Sequence, residues 1–299
     1  MGSIRRCWCL DHGGARKLLV SLRWDVLPPI TCEVFMPTLP SNRRRFLQLL
    51  TSAPLGVAAS CVAAAPEAPA RPPARARVRA IAFDAFPIFD PRPIGALAEE
   101  LFPGQGASLM DAWRTRQFEY TWLRVASQRY ADFWQVTADA LSFAATRLGL
   151  DLDARTRTRL LEAHLELRAW PDVLPALRSL RGAGVRLVFL SNFTPRMLDA
   201  AITSAGLGGL FERAISTDEA RTYKPDPRAY RLAVDALELP REAIVFAAFA
   251  GWDAAGAKWF GYPTFWVNRM KQPAEMLDVL PDGIGAGLSE LVTFAAAGA

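Results

Sequence analysis

From residue 78 onward the chain alternates short apolar runs with longer amphipathic stretches. Residues 78–83, 185–190, 243–249 and 263–267 have the length and density of strands buried on both faces, and 214–216 is a shorter candidate. Between them, residues 173–183, 196–205, 229–237 and 254–260 repeat apolar side chains at helical spacing. Strands alternating with helices predict an α/β fold with a parallel sheet covered on both faces. Ligands of such sheets gather beyond the carboxyl ends of the strands. Asp84 follows the first run, Ser191 and Asn192 end the second, and Asp253 comes a few residues after the third. The pattern therefore brings these polar residues together.

One segment breaks the alternation. Residues 95–170 contain no strand candidate, and 111–127 and 131–148 are long amphipathic patterns rich in Trp, Phe, Leu and Ala. The segment is too long for a loop. It predicts an all-helical cap, spanning about 92–172, inserted after the first strand and able to close over the strand ends.

Composition removes several alternatives. With 51% hydrophobic and 22% charged residues in 299, the chain is neither disordered nor collagen-like. It has no unbroken run of about 18 apolar residues, which argues against a polytopic membrane protein. Of 35 basic and 30 acidic residues, 11 and 4 lie within 1–77, leaving 24 and 26 in the body. The body has no basic cluster suited to phosphate backbones, so nucleic acid is not an expected partner. Cys7, Cys9, Cys32 and Cys61 all precede the body, which can form neither a disulfide nor a thiol nucleophile. His164 is the one histidine of the body; a histidine triad or His-rich metal site is not expected. Its polar helical neighbourhood predicts a surface position.

The basic excess sits in a leader. Arg43, Arg44 and Arg45 precede Phe46, Leu47 and a mild apolar run to Ala65. A basic start, a modest apolar stretch and small residues at its end describe an export signal of the twin-arginine type. Its partner would be the twin-arginine export machinery, and its destination the periplasm or beyond. A membrane anchor and lipid attachment at Cys61 are the alternatives. Residues 66–77 form a Pro/Ala linker without core-forming side chains. The expected organisation is thus an extension at 1–35, a signal at 36–65, the linker at 66–77 and the α/β domain at 78–299. Met36 would set the arginines at a normal distance from a start.

Four motifs occur in order: Phe83-Asp84-Ala85-Phe86, Ser191-Asn192, Lys224-Pro225, and Trp252-Asp253-Ala254-Ala255-Gly256-Ala257-Lys258. Together they resemble the haloacid dehalogenase superfamily, with its Rossmann-like sheet and inserted cap. Trp113-Arg114, Gln117 to Tyr120, Trp122-Leu123-Arg124, Tyr130 to Trp134 and Phe265 to Arg269 look like the type II 2-haloacid dehalogenases. The resemblance spans roughly 78–294. It implies hydrolysis of a 2-haloalkanoate to the 2-hydroxy acid through an aspartyl ester, without metal or cofactor. It also implies a homodimer through the cap helices.

Carried over residue by residue, the resemblance makes Asp84 the nucleophile and Arg114 the acceptor of departing halide. Lys224 would keep Asp84 ionised, and Asp253 would orient Lys224 or the hydrolytic water. Asp253 is also a candidate N-cap for the helix at 254–260. Ser191 and Asn192 would bind the substrate carboxylate, Tyr230 would hydrogen-bond within the site, and Phe133 and Trp252 would line an apolar halide pocket.

Two segments depart from the family. Its usual Phe-Asp-x-Tyr-Gly-Thr-Leu-Phe-Asp is one residue shorter here, with Phe86 and Pro87 and without the Thr. Its Ser-Ser-Asn segment is replaced by Ala248, Phe249 and Ala250. Both changes make the floor beside Asp84 less polar. They leave open a substrate-shifted or non-catalytic member of the fold. A phosphatase is a weaker alternative, because the position two residues after Asp84 is Phe86 rather than an acid.

Overall fold

The computed structural model describes residues 77–298; the extension, the signal and all of the linker but Arg77 lie outside them. Strands β1 (Ala80–Phe83), β4 (Arg186–Ser191), β5 (Arg213–Ser216), β6 (Ile244–Ala248), β7 (Thr264–Val267) and β8 (Gly283–Gly285) form one sheet, ordered β5-β4-β1-β6-β7-β8. Every pairing is parallel, and Phe83 at the end of β1 faces Phe189 on one side and Ala247 on the other. The five expected strands are present. β8 is the addition.

The two-residue period of β1 sorts its side chains between two cores. Ile81 and Phe83 point into a cluster with Leu177 of α5 (Val173–Gly182), Leu198 of α6 (Pro195–Ser204) and Leu291 of α9 (Leu288–Ala297). Ala80 and Ala82 point into the other, with Leu237 of α7 (Pro227–Leu237) and Ala257 of α8 (Gly251–Phe260). Burying the strands on both faces is what made them legible as continuous apolar runs.

The insertion holds α1 (Arg92–Leu101), α2 (Gly106–Ser127), α3 (Phe133–Leu148) and α4 (Ala154–Glu162). Leu109, Trp113, Gln117 and Thr121 recur every fourth residue on α2 and form its buried stripe. Asp132 caps α3 by accepting the Gln135 N–H at 2.8 Å, and Gly149 ends it in the left-handed conformation. Contrary to the expectation from sequence, the insertion is not strand-free. β3 (Arg168–Ala169) pairs antiparallel with β2 (Phe89–Asp90), so the chain enters and leaves the cap side by side. Two residues are too few to display an alternation, which is why the pattern hid them. Among the described residues no helix is long and apolar enough to cross a membrane.

Candidate active site

The carboxyl ends of β1, β4 and β6 face the cap across a cavity of about 350 Å³. Asp84 is the first residue past β1, its N–H anchored to the Ala247 carbonyl at 3.0 Å. Lys224 reaches it from the loop before α7: Nζ donates to Asp84 Oδ1 at 2.8 Å and to Asp253 Oδ2 at 2.6 Å. The Lys224 and Asp253 side chains are 1% and 2% exposed, Asp84 14%. Of the three charges, Asp84 alone presents substantial surface to a ligand.

Burial on its own would depress the Lys224 pKa, but Asp253 and Asp84 outweigh it and leave it raised. Burial pushes Asp253 up to about 6, and the nearby Asp84 charge adds to that, against the pull of Lys224. One ammonium cannot neutralise two carboxylates, so Asp253 is where an additional proton lodges.

Asp253 lies in the first turn of α8, not at its cap, because the helix begins at Gly251. Tyr230 holds it from behind, donating to Asp253 Oδ1 at 2.7 Å. Tyr230 is fully buried and does not line the cavity. Expected from sequence to hydrogen-bond within the site alongside the substrate-binding residues, it instead braces Asp253 from behind the cavity. Gly256 makes room for it: a Cβ there would sit 2.5 Å from the Tyr230 oxygen and 2.7 Å from Pro225.

Ser191 and Asn192 line the cavity at the end of β4. Ser191 Oγ accepts the Phe193 N–H at 3.1 Å, which leaves its own proton to donate. Asn192 Oδ1 accepts the Lys224 N–H at 3.0 Å and the Thr217 hydroxyl at 3.3 Å, fixing the amide and leaving its NH2 as the uncommitted end. Both residues thus offer donors where the resemblance implies a carboxylate.

Arg114 lines the cavity from α2, although much of its side chain is exposed. Partial burial lowers its pKa and Asp111 pulls the other way. No carboxylate among the described residues forms an ion pair with it. Its helix is registered by Thr137 of α3, whose carbonyl accepts Trp113 Nε1 at 2.8 Å and whose hydroxyl accepts Gln117 Nε2 at 2.6 Å.

Phe133 and Trp252 also line the cavity. Phe133 stacks on Phe193 with ring centres 5.8 Å apart, and Trp252 meets Phe118 and Trp122 edge to face at 5.1 and 5.6 Å. Sequence reasoning missed that Phe86, Phe193 and Phe249 form a continuous wall, with Phe86 5.4 Å from Phe193 and 5.6 Å from Phe249. Phe193 and Phe249 each follow a strand end, the same signal that singled out Asp84 and Ser191.

The shortened loop after Asp84 is held by its carbonyls. Trp170 Nε1 donates to those of Phe86 and Phe89, both at 3.0 Å. Arg269 donates to that of Pro87 at 2.9 Å while pairing with Asp172, also at 2.9 Å. Arg92 and Arg269 lie 4.5 and 4.8 Å from the Trp170 ring centre.

His164 is not at the surface. It falls in the turn after α4, is 6% exposed, and lines the cavity 5.3 Å from the Trp113 ring. The end of α4 at Glu162 releases it from the polar helical face that its neighbours suggested.

These donors do not fit a divalent cation. Lys224 already stands between Asp84 and Asp253, and the position two residues past Asp84 carries an aromatic ring. Among the described residues no group of three His, Cys, Asp or Glu is placed to hold a metal ion.

A family model described as haloacid dehalogenase-like hydrolase matches residues 64–261, and the chain belongs to that family. Within it, the chain is 44% identical over 206 residues to the (S)-2-haloacid dehalogenase of Pseudomonas sp. (strain YL), covering 69% of this chain and 89% of that protein. A crystal structure of an L-2-haloacid dehalogenase superposes with a TM-score of 0.72 at 43% identity, covering 73% of this chain and 99% of the other. The L-2-haloacid dehalogenase of Xanthobacter autotrophicus with chloropropionic acid covalently bound matches with a TM-score of 0.66 at 31% identity, covering 72% and 97%.

Proposed function

We propose that the protein is a hydrolase of carbon–halide bonds that converts a 2-haloalkanoic acid to the 2-hydroxy acid, with preference for the (S) enantiomer. The observation that carries this reading is Asp84 in the cavity wall, paired with Lys224 and sharing the cavity with Arg114. The relatives described above, named as (S)- and L-2-haloacid dehalogenases, support it.

An Asp84 oxygen attacks carbon 2, the carbon–halogen bond breaks, and the halide departs with its electron pair toward Arg114. The substrate carboxylate is met by the Ser191 hydroxyl and the Asn192 amide. Water then adds to the carboxyl carbon of the Asp84 ester. The hydroxy acid leaves with inverted configuration, and Asp84 keeps one oxygen from solvent. Splitting one substitution into two steps is the usual advantage of a covalent carboxylate. Lys224 favours the ionised nucleophile, and Asp253, braced by Tyr230, holds Lys224 in place.

The test is halide release from each enantiomer of 2-chloropropionate, without added metal, by wild type and Asp84→Asn. Release from one enantiomer, reduced at least about 10⁴-fold in the variant, is expected. A single turnover in ¹⁸O-water should label Asp84; label appearing in the product alone overturns the ester route. Absence of release from both enantiomers moves a non-catalytic or substrate-shifted role to first place.

Export to the periplasm by the twin-arginine machinery belongs to the same proposal. Arg43, Arg44 and Arg45 before the apolar run support it. Replacing Arg44 and Arg45 by Lys should leave the protein in the cytoplasmic fraction; an unchanged distribution overturns it. Exposed Trp122, Leu123 and Phe143 on α2 and α3 support a homodimer through the cap, which sedimentation equilibrium tests.

A further inference from the structure

Nothing in the ester mechanism uses His164, yet its ring forms part of the wall of the reaction cavity. Among the described residues, its Nδ1 is the one buried side-chain polar atom without a hydrogen-bond partner. A buried polar group left in this way lowers stability unless something else is served by it. Leu160, Leu161 and Trp113, all buried, belong to the cap core on which the ring rests.

We infer that His164 is a specificity-determining residue: the accessible edge of its ring accepts a hydrogen bond from a hydroxyl or N–H carried by the substrate beyond carbon 2. This rests on the dehalogenase reading above and names the substrate more closely.

Three observations converge on it. First, the ring is neutral, since burial takes its pKa down to about 4 and the backbone carbonyls of Leu160 and Leu161 only partly oppose that. A neutral imidazole donates through one nitrogen and accepts through the other. Nδ1 is the enclosed nitrogen, so a neutral ring protonated there keeps Nε2, its other nitrogen, as the acceptor. Second, the cavity of about 350 Å³ falls in the range of roughly 300–1,000 Å³ that accommodates drug-sized ligands. A short haloacid has only a handful of heavy atoms and leaves much of this space unfilled. Third, the space between Asp84 and the cap is bounded by Phe86, Phe249 and Phe133, which suit an apolar arm. Asp84, these rings and His164 line one cavity, which suits an apolar arm ending in a donor.

The experiment compares kcat/KM for halide release between pairs that differ by hydroxyl against methyl or hydrogen. One pair is 2-chloro-6-hydroxyhexanoate and 2-chloroheptanoate; the other is 2-chloro-3-(4-hydroxyphenyl)propionate and 2-chloro-3-phenylpropionate. The wild-type full chain should prefer the hydroxylated member of at least one pair by about tenfold, the value of one hydrogen bond. His164→Phe should abolish that preference mainly through KM, and His164→Gln, which keeps an acceptor, should restore part of it. Equal rates within both pairs, or a preference that persists in His164→Phe, overturns the proposal. So does failure to turn over any of the four acids by an enzyme that dehalogenates 2-chloropropionate. The wild-type comparison needs no variant to fold. Failure on 2-chloropropionate as well would instead sink the dehalogenase reading.

Discussion

At the end of the sheet, Lys224 stands between Asp84 and Asp253 with Tyr230 behind; beside them, Phe86, Phe193 and Phe249 pack ring against ring. The charged side is a closed network in which each member compensates another. Removing Lys224 leaves two largely buried carboxylates without their partner, and that penalty exceeds the net worth of the pair. The aromatic side is held by many small dispersion contacts, so a truncation there loses only the atoms removed and the void left behind. The charged side therefore tolerates almost no change, whereas the aromatic side is where the shape of the substrate can be altered.

Lys224→Met should break this contrast most severely. With two carboxylates left facing each other in a buried site, unfolding by denaturant should show a loss of about 3–5 kcal/mol, together with loss of halide release. Phe249→Ala should cost less, about 2 kcal/mol, below the roughly 3–5 kcal/mol of a Phe in a closed core, because one face already borders the cavity. A larger loss than for Lys224→Met would reverse the comparison. Tyr230→Phe removes one hydrogen bond to Asp253 and should cost about 1–2 kcal/mol. It also withdraws a donor that lowers the Asp253 pKa, so the acid limb of the kcat profile should move to higher pH.

The smallest effect concerns pH itself. Asp253 has a folded pKa of about 6, above its unfolded value, so between the two the folded protein binds more protons. Its contribution to stability therefore increases as pH falls through about 6, relative to Asp253→Asn, which cannot titrate. Activity should move the other way, falling below about pH 6 as Lys224 loses one of its counter-charges. Unfolding of wild type and variant at pH 7 and pH 5 checks the first, and a kcat profile the second. Parallel changes in stability and activity would show that Asp253 is not the titrating group.

How much of this was written in the sequence depended on length and on neighbours. β1, β4, β6 and β7 were legible because strands buried on both faces read as unbroken apolar runs. β2, β3 and β8 were not, since two or three residues carry no period and β8 is Gly-Ile-Gly. Asp84, Ser191, Asn192 and Asp253 were found because strand ends converge, and Lys224 through its place in a motif. Tyr230 was drawn into the site by its nearness to Lys224 in sequence, but α7 turns it toward Asp253 from the far side. His164 was misread because helical periodicity was extended two residues past the end of α4. The brace of Trp170, Asp172 and Arg269 spans distant segments, and no local pattern announces such a contact.

The narrow ribbon of β2 and β3 has a consequence for how this molecule can change over time. Because the way into the cap and the way out run side by side, the four helices hang from the sheet as a single appendage with one stalk. Insertions, deletions or wholesale exchange of that appendage leave the pairing of β1 with β4 and β6 unaltered. Descent with modification can thus rework the ceiling of the reaction chamber, including the surface that carries His164, while the machinery on its floor is inherited intact.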